Sequence, residues 1–310
     1  AQELGFYQAA APHGAAVVPP PRVVFHMTEA MLVEDPLLQF WSRLYFLFKK
    51  RMEAGGRLCE HVDLAGGKGL GLLDGCAALV VFNFTEARAG AALARLRKEL
   101  PVLGVLNQVL PARVGADEQV AGELLAKHLH GKSHRHVAVF GPKVDGVPQE
   151  RLESFSRALL RLEPSSRIDF IPSRYHLLAR GEQQAEMEAS LESYFAGLDA
   201  VPTALYGTDA HVTTVAYRWL RRRHGLALPA ELGLVGFDDF PVYAHLDLRI
   251  TRAFFAVEEL VDAVCDQVET VLARGQVRPR SVLVPVSFTE GDSVLPVSAM
   301  RPPHAQRFRT

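Results

Sequence analysis

The stretches whose residue types and spacing could do chemistry are few. "AKHLHGKSHRHVAVFGP" (126–142) places His128, His130, His134 and His136 within nine positions, a density that suggests a metal site. His128 and His130 stand two apart on a predicted helix, roughly 200° around its axis, so regular backbone cannot aim both at one ion. His134 and His136 can share a strand face, but the turn "GKS" separates them from the helix. The spacing matches no zinc signature, and cationic histidines at a helix end complement its C-terminal dipole. No metal is expected. "GGKGLG" (66–71) lacks the four-residue spacer and the Ser/Thr of a phosphate loop and is not GxGxxG, so it reads as a surface loop and implies no nucleotide cofactor. "WLRRRHG" (219–225) could pass for a nucleic-acid patch. A basic last helical turn followed by glycine is what helix termination alone produces, and one turn is too short to track a phosphate backbone.

"LGLVGFDDF" (232–240) carries more information. An apolar strand ends in Asp238 and Asp239, which places two carboxylates at the carboxyl edge of a parallel sheet, where open α/β sheets bind ligands. "TALYGTDAH" (203–211) repeats the arrangement with Thr208 and Asp209, the latter also a candidate helix cap. Carboxylates facing a cleft suit polyhydroxylated ligands, since each accepts several hydroxyl hydrogen bonds. They could also form a glycosidase acid/base pair, which depends on a separation that sequence does not show. No nucleophile, metal or phosphate motif accompanies them, so an enzyme is not expected.

The elements that must position these groups follow from periodicity. Short β-branched runs begin at Arg22, Ala77, Pro101, His136, Arg167, Thr203 and Leu232, and amphipathic stretches at 36–54, 86–99, 117–130, 148–162, 182–197, 210–223 and 256–274 lie between them. This is the pattern of βα units around parallel sheets. The strands are too many for one small sheet, and a composition break at 131–133 predicts two open α/β lobes. The chain has 310 residues, nearly half hydrophobic, enough for two linked domains. Its 34 basic and 35 acidic residues, net −1, argue against a nucleic-acid-coating surface or a polybasic membrane anchor. Cys59, Cys76 and Cys265 are odd in number and far apart, which fits a reducing cytoplasm better than a disulfide framework. No apolar run approaches the ~20 residues of a membrane span, and no signal segment is evident. The chain starts at Ala1, so a removed signal peptide and a trimmed domain are both open. "AAAPHGAAVVPPP" reads as a linker stiffened by its prolines, and "RPPHAQRFRT" as a loose basic tail.

These stretches carry a resemblance. "PTALYGTDAHVTTVAYRWLRRRHGLALPAELGLVGFDDFPVYAHLDLRIT" resembles the effector-binding core of LacI/GalR-type bacterial transcriptional regulators, and "GADEQVAGELLAKHLHGKSHRHVAVFGP" and "QERLESFSRALL" are similar to its upstream segments. The likeness covers most of residues 100–295 and is weaker before that. It implies that His128 and His134 are structural. It also implies two Rossmann-like lobes of the periplasmic-binding-protein type I kind, joined by three crossovers near 131–135, 250–255 and 278–284. The expected division is 1–21 as the remnant of a headpiece end and hinge, 22–132 plus 253–280 as the first lobe, 133–252 plus 281–297 as the second, and 298–310 as a tail. "ELGF" resembles the end of such a headpiece, which favours the trimmed-domain reading of Ala1. Gln8, Ala9, His13 and Ala15 depart from the usual hinge residues and put a minor-groove wedge in doubt.

The implied function is a cytoplasmic, homodimeric, ligand-responsive regulator. It would bind a small effector, most simply a sugar or derivative, between the lobes, and operator DNA through a headpiece upstream. The implied contacts are Asp238, Arg151 and Thr208 from the second lobe, and Asn83, Asn107, His26 and Thr28 from strand ends of the first, with Phe255 beside them. Each has a plainer reading: Asn83 and Asn107 as turn builders, Arg151 paired with Glu150 or Glu153, Asp238 satisfying backbone amides. Phe255 and Thr208 stand where many relatives carry Gln and Asn, which points to a less polar or unusually shaped effector. The rival from another class is a transporter's periplasmic sugar-binding protein, which shares the fold and lacks a DNA partner.

Overall fold

The computed structural model describes residues 19–28, 39–64, 70–82, 100–107, 110–143, 146–178, 180–301, 303 and 308. Twelve strands are present among them, in two six-stranded sheets. The first sheet contains β1 (Arg22–His26), β2 (Leu58–Val62), β3 (Ala78–Phe82), β4 (Val102–Val105), β5 (Ala112–Ala116) and β11 (Arg280–Val284), in the order β11-β5-β4-β3-β1-β2 and entirely parallel. The second contains β6 (His136–Pro142), β7 (Arg167–Ser173), β8 (Ala204–Gly207), β9 (Gly233–Phe237), β10 (Thr251–Phe254) and β12 (Ser287–Thr289), in the order β12-β10-β9-β8-β6-β7, with only β12 antiparallel.

The central strands β3, β4, β8 and β9 are buried at every residue, because helices cover both faces of a parallel sheet. The edge strands β2, β7, β11 and β12 carry polar or charged residues, which suit a strand with one unpaired side. Among the described residues, six α-helices pack on the sheets: α1 (Phe40–Ala54), α2 (Glu118–Gly131), α3 (Val147–Leu162), α4 (Arg180–Ala196), α5 (Ala210–Arg218) and α6 (Val257–Arg274). The predicted helix at 86–99 and the linker, through residue 18, lie outside the described residues, as does most of the glycine loop at 65–69.

α1 packs on α6 beside the first sheet, and Arg57 bridges to Glu269 with Nε and Nη2 at 3.0 and 2.7 Å. α2 packs on α3 and reaches β10 and β12, so it belongs to the second lobe by its contacts. Gly122 makes that packing possible: a Cβ there would lie 2.5 Å from the Phe155 amide nitrogen.

The packing moves two of the expected crossings. The first falls at Asp117, between β5 and α2, rather than at 131–135, because α2 needs α3 to bury Ala121, Leu125 and Leu129. The third falls at 285–286, because β11 pairs with β5 over its whole length and only β12 returns to the second sheet. The second lies at 255–256, between β10 and α6. The first and third touch, the Asp117 amide donating to the Val284 carbonyl at 3.2 Å.

"WLRRRHG" ends a helix as expected, but by widening to a π-turn over Trp219–Arg223 before Gly225 adopts φ +59°. The tail is not loose at Phe308. Its ring is buried against Phe195 (4.7 Å between centroids), His224 (5.2 Å) and Trp219 (6.2 Å, stacked).

A two-lobe ligand-binding core

In the second sheet the strand order reverses between β6 and β8, and the candidate polar residues leave the carboxyl ends of the strands beside this switch point. Thr208 follows β8, Asp238 follows β9, and Arg151 comes from the first turns of α3, after β6. All three are buried. Asp238 holds φ +70°, a left-handed conformation that Asp tolerates better than most residues. Its Oδ2 accepts from the Ala210 amide at 3.2 Å, at the N-terminus of α5, which Asp209 caps by accepting from Val212 at 2.9 Å.

Arg151 is held from four sides. Nε donates to Glu118 Oε2 at 3.0 Å, Nη1 to the Thr208 carbonyl at 2.7 Å, and Nη2 lies 3.7 Å from Asp238 Oδ1. Its guanidinium sits 3.5 Å from the centroid of the Phe237 ring. Burial pushes Asp238 up to about 7 against the pull of Arg151, with Asp209 adding to the rise. Burial also raises Glu118, again opposed by Arg151. Glu118 Oε1 and Thr208 Oγ1 are fully buried and find no hydrogen-bond partner among the described residues. The surface pairing of Arg151 with Glu150 or Glu153 does not occur. Asp239 is separate from its neighbour and pairs with Arg252, whose Nε lies 3.0 Å away.

The first-lobe candidates are placed differently. His26 is buried with Nδ1 3.1 Å from both the Val62 carbonyl and the Leu64 amide, so β2 and the residues after it engage that face of the ring. Burial lowers its pKa. Asn107 Oδ1 accepts from Leu110 at 3.0 Å, the turn-building role. Thr28 is half-buried just past β1, and Asn83 lies outside the described residues. Phe255 sits in the second crossing, 6.3 Å from Phe237 and 6.0 Å from Phe40 of α1. Phe40 in turn meets Phe240 at 5.3 Å, so an aromatic layer runs from Arg151 into the first lobe.

Sequence reasoning missed Glu118, Tyr175, Phe40 and Phe240. Tyr175, whose hydroxyl donates to Asp209 at 3.0 Å, follows an unremarked strand end. Phe240 closes the quoted stretch "LGLVGFDDF" and was available. Glu118 reads as an ordinary acidic first turn, with nothing local to show its burial. Three of the four clustered histidines have separate neighbours. His134 Nε2 donates to the Leu295 carbonyl at 3.0 Å with Nδ1 2.9 Å from the Thr203 hydroxyl, His136 pairs with Asp169 at 2.8 Å, and the His128 ring lies 5.2 Å from Phe288.

Two α/β lobes joined by three crossings, with polar groups at a strand-order switch point, define a core of the periplasmic-binding-protein kind. The periplasmic binding protein-like domain model matches residues 126–294, and the chain belongs to that family. Within it, the curated relatives that the chain resembles are sugar-metabolism transcriptional regulators. The transcriptional regulator GalR of Salmonella typhimurium is 25% identical over 189 residues, 59% of this chain and 52% of the relative. The arabinose metabolism transcriptional repressor of Geobacillus stearothermophilus is 27% identical over 139 residues, 44% of this chain and 37% of the relative. The chain spans about half the length of GalR. Among solved structures, a LacI family transcriptional regulator from Enterococcus faecium with bound ribose superposes with TM-score 0.71 at 16% identity, covering 89% of this chain and 99% of the other. The lac repressor dimer bound to operator and the anti-inducer ONPF superposes with TM-score 0.70 at 17% identity, covering 89% and 94%. These two likenesses concern the fold.

Proposed function

We propose that this chain is the effector-binding and dimerisation core of a LacI/GalR-type transcriptional regulator. It binds a small molecule between its lobes and couples that binding to operator DNA held by a headpiece upstream. The observation that carries the reading is the Arg151–Glu118–Asp238 constellation at the β6/β8 switch point, next to the crossings about which two lobes would move. No reaction is assigned to the cleft, and its task is differential binding of two lobe arrangements. An effector that prefers one arrangement shifts the dimer between DNA-competent and DNA-incompetent states, with coupling of typically about 1–3 kcal/mol. Dimerisation matters because operator half-sites mirror a two-fold protein.

The reading is of a cytoplasmic regulator, and no described helix is long and apolar enough to cross a membrane. Asp238, Arg151, Thr208 and Phe255 are proposed as effector contacts. His26, Thr28, Asn83 and Asn107 are proposed as the first-lobe rim, with Asn107 acting through its turn. The test is thermal unfolding against small molecules, with dimer mass read by light scattering. A ligand at 100 times its Kd stabilises by about 2.7 kcal/mol. The expected result is a dimer stabilised by a ligand whose effect is lost in Asp238→Ala. A monomer stabilised by a sugar would instead favour a transport binding protein.

A further inference from the structure

One apolar cluster runs through both lobes. It takes in Phe25 and Phe82 of the first sheet and Tyr206 and Phe237 of the second, with Phe40 and Phe255 as buried members. Two routes join its halves. Phe255, in the second crossing, lies 6.3 Å from Phe237 and 6.0 Å edge-on from Phe40. Phe240 meets Phe40 directly, with ring centroids 5.3 Å apart and planes tilted by 32°. The first route follows the chain through a crossing. The second does not, since residue 40 opens α1 and residue 240 follows β9, and neither lies in a crossing.

Both rings are anchored in their own lobes. Phe40 stands edge-on to Trp41 at 4.7 Å, and Trp41 in turn meets Phe82 of β3 at 6.4 Å. Phe240 packs against the shared cluster and against the second lobe's own core. Its carbonyl accepts from the Tyr243 amide at 3.0 Å, and the neighbouring Asp239 is held by Arg252. Because Phe240 stands two residues after Asp238, a contact at Asp238 and the contact at Phe40 share one short piece of backbone.

Parting the lobes would separate Phe40 from Phe240 and bring water to both rings, which apolar contact and ring pairing oppose. Glu150 of α3 and Arg113 of β5 also attract one another across this division. Both are only half-buried, so salt weakens their attraction and leaves the ring contact unaffected. Resting on the two-lobe reading of the cleft, we propose that Phe40 and Phe240, backed by Phe255, form an aromatic latch that holds the lobes together through the chain's own contacts. Lobe closure is then a property of positions 40 and 240, and an effector biases an arrangement that the latch already favours.

The experiment compares the whole chain with Phe240→Ala, the milder Phe240→Leu and, as a control, Leu177→Ala, whose side chain is exposed on the second lobe. Small-angle X-ray scattering gives the radius of gyration. Acrylamide quenching reads Trp41, since the other tryptophan of the chain, Trp219, is buried in the second lobe's core. The wild type is expected to be compact and to stay so at high salt. Phe240→Ala should show a larger radius and steeper quenching, Phe240→Leu should fall between, and Leu177→Ala should match the wild type. Loss of the ring pairing alone shifts the closed-to-open ratio about two- to tenfold. Should Phe240→Ala fail to fold, Phe240→Leu carries the comparison. Equal radius and quenching in every variant would overturn the latch and leave the crossings to hold the lobes. A wild type already as extended as Phe240→Ala, or one that expands at high salt, would overturn it too. None of these results touches the effector reading, which the ligand titrations decide. Lobes that part in Phe240→Ala, in a chain that no small molecule stabilises, would keep the latch and remove that reading.

Discussion

Arg151 Nε and Glu118 Oε2 meet at 3.0 Å inside the second lobe, joining the first turn of α2 to the first turns of α3 and tying the first crossing to the ligand-side edge of the sheet. Both side chains are at least nine-tenths buried, so the pair is an internal strut as well as part of a site. Removing the cation alone strands two buried carboxylates. Arg151→Ala is therefore expected to cost about 3–5 kcal/mol in denaturant unfolding. Arg151→Met combined with Glu118→Gln should cost less than the sum of the two single changes. Additive losses would show that the two side chains do not act as a unit.

The pH dependence has a definite sign. Asp238 is pushed up to about 7 from an ordinary carboxyl value, so between pH 4 and 7 the folded state holds more protons than the unfolded one and stability falls as pH rises. His134 is pushed down to about 4 by burial, so between pH 4 and 6.5 the unfolded state holds more protons and stability rises with pH. Asp238→Asn removes the first contribution, so its unfolding free energy minus that of the wild type should climb by up to about 1.4 kcal/mol per pH unit from 4 to 7. A flat difference curve would place the Asp238 titration outside that window.

Gly122 tests the α2–α3 contact. Alanine is the better helix former by about 1 kcal/mol, yet its Cβ would lie 2.5 Å from a backbone nitrogen of α3. Backbone cannot swing aside as a side-chain tip can, so Gly122→Ala is expected to be destabilising by about 1–3 kcal/mol in thermal or denaturant unfolding. A stabilised variant would mean that the helices separate easily.

Phe308 tests whether the tail belongs to the fold. It is buried among Phe195, Trp219 and His224, and Phe308→Ala should cost about 3 kcal/mol, with earlier proteolytic trimming of the C-terminus. An unchanged unfolding midpoint would mean that the ring is a bystander.

The seven apolar runs legible in the sequence are all strands, and six of them lie inside their sheets. The five unread strands, β2, β5, β10, β11 and β12, are short and mix charged or small residues into the run: "LCEHV", "ARVGA", "TRAF", "RSVLV" and "SFT". Local pattern is weak where a strand is half-covered or held mainly by its neighbour's hydrogen bonds. The placement of α2 was equally hidden. Its apolar face says that it must pack, and only the close approach at Gly122 says on what.

Composition and periodicity by themselves determined that this chain folds as parallel α/β lobes and that Asp238 and Thr208 stand at strand ends, because burial on both faces writes itself as continuous apolar runs and strand ends follow from where those runs stop. The tertiary structure alone decided that Glu118 is the partner of Arg151, that Phe240 reaches Phe40, and that the tail returns to Trp219. These residues stand 33, 200 and 89 positions apart, and a contact across such lengths is chosen by how packed elements meet. Neither residue of such a pair carries a local trace of the other.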